Sequence, residues 1–217
     1  GDAAYIGSNF NTISQSTITS NVTSGGWRAL YLGGSNCTIS QSYMGIQGGV
    51  AAYVNSANNT TIINSTLASN LPGSSALNLT SAAGTTIMNS SIRGSTAVFI
   101  SGGSDTVIGG SVLVATNTAG AALAMSGASA NLRVSSSVLS AFMGTPGAAA
   151  LYLGLNNSGL LVFSSNTMTG GQYGAYIATQ TGGTQVWFTS NTILVPSTGT
   201  IATYGLYLNG LISGATI

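Results

Sequence analysis

A short repeat recurs along the whole chain and constrains its fold more than any other feature. Each copy centres on an apolar triplet such as residues 30–32 or 151–153, in which two aliphatic residues flank an aromatic one. The central positions recur with a period of about 25 residues and are occupied by Tyr5, Tyr31, Tyr53, Asn78, Phe99, Ala124, Tyr152, Tyr176 and Tyr207. One such unit cannot bury its own apolar face, so the repeat predicts a solenoid of stacked coils.

A second motif follows each of the first eight triplets. It places two apolar residues five positions apart, as at Ile13 and Ile18, with small polar residues between them. This spacing fits two extended stretches joined by a two-residue corner, and Asn, Gly and Ser tolerate the backbone that such a corner needs. In the fifth copy we assign the corner to Gly109 and Gly110. Without helical periodicity, each coil is predicted to hold three short strands and three turns.

Alternation within the strands predicts which residues face the interior, because successive side chains of a strand point to opposite faces. Three interior columns follow. The first column contains Ile6, Leu32, Val54, Leu79, Ile100, Met125, Leu153 and Ile177. The second contains Ile13, Ile39, Ile62, Ile87, Val107, Val134, Phe163 and Phe188. The third contains Ile18, Met44, Leu67, Ile92, Val112, Leu139, Met168 and Ile193.

The same alternation turns the central residues of the triplets outward. We call the aromatic members of that column the aromatic stripe, and it is interrupted at Asn78 and Ala124. Its members are Tyr5, Tyr31, Tyr53, Phe99, Tyr152, Tyr176 and Tyr207. The stripe is our candidate contact surface for a glycan or a neighbouring fibril. Two structural alternatives stay open: stacked rings that only stabilise the sheet, or rings covered by a long turn.

A second outward column is predicted to begin with five threonines and to end with bulkier residues. It contains Thr12, Thr38, Thr61, Thr86, Thr106, Arg133, Val162 and Trp187. A flat face of threonines suggests ice binding. The run stops halfway, however, and the ordinary preference of threonine for strands explains it more simply.

Charge is nearly absent and excludes several classes of function. Lys and Arg total 3, Asp and Glu total 2, and there is no His and a single Cys. Nucleic-acid binding needs a basic face, and His-based triads or zinc sites need ligands that this chain lacks. We therefore expect no nucleic-acid partner, no cofactor, no metal site and no intrachain disulfide. No apolar run is long enough to span a bilayer.

The segment at residues 30–44 resembles a coil of the right-handed parallel β-helix proteins, the pectin-lyase-like repeat family, and is closest in character to bacterial surface adhesin and fibre β-helices. Enzymes of that family imply polysaccharide lyase or glycosidase activity with clustered acidic residues. No position here matches such a cluster. Asp2 and Asp105 should lie about 20 Å apart at a strand spacing of ~4.8 Å. Asp105 is expected to cap its own turn, and the three arginines (Arg28, Arg93 and Arg133) to be solvated surface charges.

The sequence thus predicts an all-β, single-stranded right-handed parallel β-helix with eight full coils and a partial ninth. Residues 1–217 are predicted to form one such domain. We predict an extracellular or cell-surface structural or adhesive protein that is not an enzyme and has no catalytic residues. The alternatives are a glycan-binding module that uses the aromatic stripe, and a polysaccharide-active or tailspike-like protein completed by another chain.

The stacked coils suggest that the chain associates with further copies of itself. The end coils of a β-helix expose unpaired strand edges, and charge, which usually blocks such edges, is missing from both ends here apart from Asp2. We therefore expect head-to-tail association into a fibre, with lateral contacts as a further mode, unless the segment belongs to a longer β-helix. A glycan is the other expected partner.

Overall fold

Three parallel sheets wrap around one apolar interior in the computed structural model. It describes residues 1–142, 147–196, 202–210, 212 and 214–217. Every coil contributes one strand to each sheet in turn, so neighbouring strands within a sheet are three elements apart in the chain. These residues form eight complete coils and two strands of a ninth. Within the described ranges no helix is long and apolar enough to cross a membrane.

The strands are short and pair only in parallel. Sheet A contains β1 (Ala4–Ile6), β4 (Trp27–Leu32), β7 (Gly49–Asn55), β10 (Ser75–Thr80), β13 (Thr96–Ser101), β16 (Ala121–Ser126), β19 (Ala149–Leu153), β22 (Tyr173–Ala178) and β25 (Tyr204–Asn209). Sheet B contains β2 (Thr12–Ser14), β5 (Thr38–Ser40), β8 (Thr61–Ile63), β11 (Thr86–Met88), β14 (Ser104–Gly109), β17 (Ala130–Ser135), β20 (Ser158–Ser164), β23 (Gln185–Thr189) and β26 (Gly214–Thr216). Sheet C contains β3 (Thr17–Ser20), β6 (Tyr43–Ile46), β9 (Thr66–Ser69), β12 (Ser91–Gly94), β15 (Val112–Ala115), β18 (Val138–Ser140), β21 (Thr167–Thr169) and β24 (Thr192–Leu194).

A hydrogen-bonded ladder fixes the corner between sheets B and C. The first corner residue has a positive φ in every complete coil; these residues are Gln15, Gln41, Asn64, Asn89, Gly110, Ser136, Ser165 and Ser190. The next residue is a serine or asparagine that caps the coil before it: the backbone N–H of Ser42 donates to Ser65 Oγ at 3.2 Å, and that of Ser65 to Ser90 Oγ at 3.2 Å. In later coils Asn166 Oδ1 takes over as the acceptor. The ladder holds successive corners in register along the axis.

The predicted interior columns are confirmed except in the fifth coil. There Ile108 pairs with Ile87, and Leu113 pairs with Ile92, so the predicted Val107 and Val112 do not face the interior. Val112 is 42% exposed, whereas Leu113 is fully buried. The corner is therefore at Gly110 and Ser111 instead of Gly109 and Gly110, because Ser111 Oγ is the acceptor for the Ser90 N–H at 3.1 Å.

The same one-residue shift corrects the threonine column. Val107, and not Thr106, follows Thr86 on the outer face of sheet B, so four successive threonines lie there instead of five. Thr106 turns inward and is 2% exposed. It continues an interior column through Thr60 and Thr85, whose hydroxyls, like that of Thr106, are buried without a hydrogen-bond partner in the described structure. A face of four threonines gives ice binding no further support.

Candidate functional site

The aromatic stripe lies in one column on the outer face of sheet A, in the predicted register. Tyr5, Tyr31 and Tyr53 pair directly, and so do Tyr152, Tyr176 and Tyr207 in later coils. The rings of Tyr5 and Tyr31 stack with centroids 4.8 Å apart, and those of Tyr152 and Tyr176 with centroids 5.1 Å apart. Stacked cross-strand pairs stabilise a sheet by about 0.5–1 kcal/mol each. Ring stacking within the stripe therefore contributes to the stability of sheet A.

Arg28 packs against the second and third rings of the stripe. Its guanidinium carbon lies 5.2 Å from the ring centroid of Tyr31 and 4.7 Å from that of Tyr53. Arg28 Nη1 is also 3.4 Å from Asp2 Oδ2, and the Arg28 backbone N–H donates to Asp2 Oδ1 at 3.1 Å. The expectation that Arg28 is a solvated surface charge is thus wrong, because this side chain is half-buried between an aromatic face and a carboxylate.

Two further tyrosines enlarge the C-terminal end of the stripe. Tyr173 and Tyr204 form a second column on sheet A with centroids 5.7 Å apart, and they contact Tyr176 and Tyr207 from the side. Sequence reasoning missed them because it followed only the centre of each triplet, although the matching position three residues earlier was visible. Burial, and then repulsion from the neighbouring phenols, raise the pKa of Tyr173 above its ordinary value of 10.0.

The stacking decides which ring surfaces a ligand can reach. Within a stack each ring covers the face of its neighbour, so edges and hydroxyls, not faces, point to solvent. Asn55 Nδ2 donates to Tyr31 Oη at 2.9 Å, and Asn209 Nδ2 to Tyr176 Oη at 2.6 Å, so some of these hydroxyls are already engaged. The stack of rings is broken at Asn78 and at Ala124, where the column has no aromatic side chain.

The interruption at Asn78 coincides with a cavity of about 390 Å³. This Asn78 cavity is lined by Val50, Gly73, Ser74, Ser75, Asn78, Thr96 and Phe99. Tyr53 and Phe99 flank Asn78 in the column, two strand spacings or roughly 9–10 Å apart. Asn78 Oδ1 accepts a hydrogen bond from Thr80 Oγ1 at 3.3 Å, which leaves its amide nitrogen as a donor for a ligand. The Asn78 amide next to the Phe99 ring suits a ligand ring that has polar groups at its edge and an apolar face.

The remaining charges are dispersed. Asp105 Oδ1 accepts a hydrogen bond from Asn131 Nδ2 of the next coil at 2.9 Å, so it bridges two coils and does not cap its own turn as expected. Arg133 is exposed, as predicted, and lines a cavity of about 240 Å³ together with Asp105 and Asn131. In the part of the chain that the structure describes, no three metal-ligating side chains come together.

The sequence matches no protein-family model and no curated protein. Its fold, in contrast, is similar to several solved structures. One is the Dettilon tailspike protein gp208, with a TM-score of 0.53 and 10% identity over 94% of this chain and 51% of that one. Another is an alginate lyase from Paenibacillus sp. str. FPU-7, with a TM-score of 0.55 and 14% identity over 89% of this chain and 79% of that one. A third is the Streptococcus pneumoniae surface protein and adhesin PfbA, with a TM-score of 0.52 and 11% identity over 95% and 67%. The chain spans about half the length of the tailspike.

These similarities correct one prediction. The conclusion that the chain is not an enzyme is wrong as a firm exclusion, because an alginate lyase shares its architecture over most of both chains. A shared fold does not assign an activity, since β-helices carry enzymes, adhesins and tailspikes alike. The repeat, the three parallel sheets and the solved structures agree on the fold: the chain is a parallel β-helix, with an architecture similar to that of the tailspike, the alginate lyase and the adhesin.

Proposed function

We propose that this chain is an extracellular or cell-surface adhesive β-helix that binds a glycan on the outer face of sheet A, with the Asn78 cavity as the primary subsite. The observation that carries the proposal is the coincidence of that cavity with a break in an otherwise stacked aromatic column. Sugar rings combine apolar faces with hydroxyls, and this cavity offers Phe99 as an aromatic wall and the Asn78 amide as a donor.

The charge on this face supports an uncharged ligand. Arg28, the one charged residue in the strands of sheet A within the described ranges, is neutralised by Asp2 at 3.4 Å. The cavity lining consists of glycine, serine, threonine, asparagine, valine and phenylalanine. A neutral oligosaccharide therefore fits the surface better than an acidic one. An extracellular location agrees with a charged fraction of 2%, far below the quarter that is usual in soluble proteins.

The test fills the cavity without damaging the fold. In Asn78→Tyr, a ring occupies the break and joins Tyr53 and Phe99 into one continuous stack. We expect unchanged or higher thermal stability, because each added ring pair contributes about 0.5–1 kcal/mol. Affinity for neutral hexasaccharides of glucose and mannose, measured by titration calorimetry, should fall at least tenfold.

The matched control is Ala124→Tyr, which fills the other break in the stripe and should leave the affinity unchanged. Binding to Asn78→Tyr at wild-type strength would overturn the cavity as the subsite. Loss of binding only in Tyr152→Ala and Tyr176→Ala would move the contact to the C-terminal tyrosines. No binding of any hexasaccharide to the wild-type chain would refute the glycan proposal. Head-to-tail and lateral association stay predictions, which negative-stain microscopy of the purified chain checks.

A further inference from the structure

Five tyrosines gather on the outer face of sheet A in its last three strands. Tyr152, Tyr176 and Tyr207 belong to the central column, and Tyr173 and Tyr204 to the column three residues earlier. The ring centroids of those in contact lie 4.9–5.7 Å apart. We call this group the tyrosine cluster. It brings five of the nine tyrosines of the sequence together on one surface.

The backbone holds the two columns of the cluster side by side. Strands β22 and β25 pair directly at the tyrosine of each column, and the Tyr204 N–H donates to the Gln172 carbonyl at 2.9 Å. Between the columns, Gly174 packs so closely that a Cβ there would collide with Ile193 Cγ2 and the Gly205 carbonyl oxygen. The main chain therefore sets the ring positions, and a reaction between two rings would start from a preformed arrangement.

The angle between the rings distinguishes one pair from the others. Oxidative coupling of two phenols forms a bond between ring carbons ortho to the hydroxyls, so the edges of the rings must approach each other. Tyr204 and Tyr207 lie 4.9 Å apart at an angle of 52°, which brings their edges together. Tyr152 and Tyr176 stack at 8°, so that they meet through their faces. Tyr204 and Tyr207 are therefore the pair best placed to couple.

Other tilted contacts of the cluster involve Tyr173, which is a poorer reactant. It meets Tyr176 at 69° and Tyr207 at 44°. Burial, and then the neighbouring phenols, raise the pKa of Tyr173, so its hydroxyl gives up a proton less readily. Tyr176 Oη already accepts a hydrogen bond from Asn209 Nδ2 at 2.6 Å. Tyr204, in contrast, is 38% exposed and can meet an oxidant from solution.

The tyrosines at the other end of the stripe are arranged less favourably for coupling. The rings of Tyr5 and Tyr31 are almost parallel, at 7°. The guanidinium of Arg28 lies over Tyr31 and Tyr53. A positive charge beside a ring opposes the removal of an electron from it. The same column position that holds Arg28 at this end holds a tyrosine in the tyrosine cluster.

Sulfur side chains, which oxidants attack readily, are mostly shielded. The sequence contains five Met and one Cys, and four of these six side chains are buried: Cys37, Met44, Met125 and Met168. Because the oxidation of sulfur depends on its exposure, these groups leave an oxidant available to exposed phenols.

We propose that Tyr204 and Tyr207 form an oxidative coupling site, which a haem peroxidase converts to dityrosine with hydrogen peroxide. Each phenol loses one electron and one proton, and the two phenoxyl radicals join through carbons ortho to their oxygens. The ring hydrogens at the new bond then move to the oxygens and restore both hydroxyls. Hydrogen peroxide accepts the two electrons and two protons and becomes two molecules of water. The proposal does not depend on the Asn78 cavity, because different residues carry it.

The experiment treats the folded chain with a haem peroxidase and hydrogen peroxide at low protein concentration. Trypsin then cuts the denatured product after its three arginines, and the peptide at residues 134–217 contains the whole tyrosine cluster. The other four tyrosines lie in other peptides. We expect dityrosine fluorescence and a mass lower by two hydrogen atoms in peptide 134–217. Fragment ions should assign the new bond to residues 204 and 207.

Two variants test whether geometry or exposure selects the pair. Tyr204→Phe keeps the ring and removes its hydroxyl, and the yield of dityrosine in peptide 134–217 should fall at least fivefold. Tyr152→Phe is the matched control and should keep the wild-type yield. Tyr152 lies in the same peptide and is 39% exposed, nearly the same as Tyr204, but it contacts Tyr176 through its face.

An equal fall in the two variants would mean that exposure alone selects the phenols and would overturn the site. Equal yields in the peptides that precede residue 94, or links mainly between two chains, would overturn it as well. So would oxygen addition at Trp187, which is 41% exposed in the same peptide, without loss of hydrogen. Treatment in urea should abolish the preference for residues 204 and 207, and an unchanged preference would show that closeness in sequence, not the fold, selects them.

Discussion

Substituting one of three threonines whose hydroxyls are buried in the interior gives the most direct test of this structure. Thr60, Thr85 and Thr106 stack in successive coils, and the Oγ1 atom of each is buried without a hydrogen-bond partner in the described structure. Thr85 lies in the middle of the three and is fully buried. An unpaired buried hydroxyl costs about 1–3 kcal/mol of desolvation, so the native state carries this penalty at each position.

The perturbation is Thr85→Val, which replaces the hydroxyl with a methyl group of similar shape. It removes the desolvation penalty and adds a buried methyl worth about 0.8 kcal/mol, while the larger methyl returns part of that gain as crowding in a packed column. We expect a net stabilisation of about 1–2 kcal/mol. For a chain of this length that corresponds to a rise in Tm of about 2–8 °C.

A matched control uses the same chemical change where the hydroxyl is satisfied. Thr184 is also fully buried, but its Oγ1 lies 2.9 Å from the carbonyl oxygen of Asn157 and 2.6 Å from that of Thr181. Thr184→Val should therefore destabilise the protein by about 1–2 kcal/mol. One substitution raises stability and the other lowers it, although both exchange threonine for valine.

Calorimetry gives both Tm values, and urea unfolding checks that the m-value is unchanged, so that shifts in midpoint report stability. A fall in Tm for Thr85→Val comparable to that for Thr184→Val would refute the reasoning. Such a fall would mean that the Thr85 hydroxyl is hydrogen-bonded in solution and that the column is a satisfied polar network.

Two further predictions concern the corner ladder and the C-terminal tyrosines. Ser90→Ala removes the acceptor of the Ser65 N–H, so we expect a loss of about 1–3 kcal/mol in urea unfolding; an unchanged midpoint would contradict a stabilising ladder. Because the folded state raises the pKa of Tyr173, it holds this proton more tightly than the unfolded chain. The raised pKa therefore leaves the free energy of unfolding unchanged well below pH 10 and lowers it as the pH rises past about 10. Tm should therefore fall less steeply above about pH 10 in Tyr173→Phe than in the wild type, and parallel curves for the two would contradict this assignment.

The sequence alone determined the coil architecture and the position of the aromatic stripe. A period near 25 residues, together with side chains that alternate between faces, leaves few ways to bury the aliphatic residues, and Tyr5, Tyr31 and Tyr53 align as expected. The fifth coil shows the limit of that reasoning. Val107 and Ile108 are both apolar, so alternation cannot choose between them, and a shift of one residue exchanges the two faces.

Only the tertiary structure decided what alternation left open and where the candidate sites lie. The ladder contact from Ser90 to Ser111 sets the register of the fifth coil, and aligning Ser111 with the other corner serines would have been the sequence signal for it. The pairing of Arg28 with Asp2, 26 positions apart, follows from the exact length of the first coil. The Asn78 cavity lies where the break in the aromatic column meets the turn at residues 73–74, and both come together only in the stacked coils. A repeat pattern records what all coils share, whereas binding surfaces arise where adjacent coils differ, and those differences acquire a shape only once the coils are stacked.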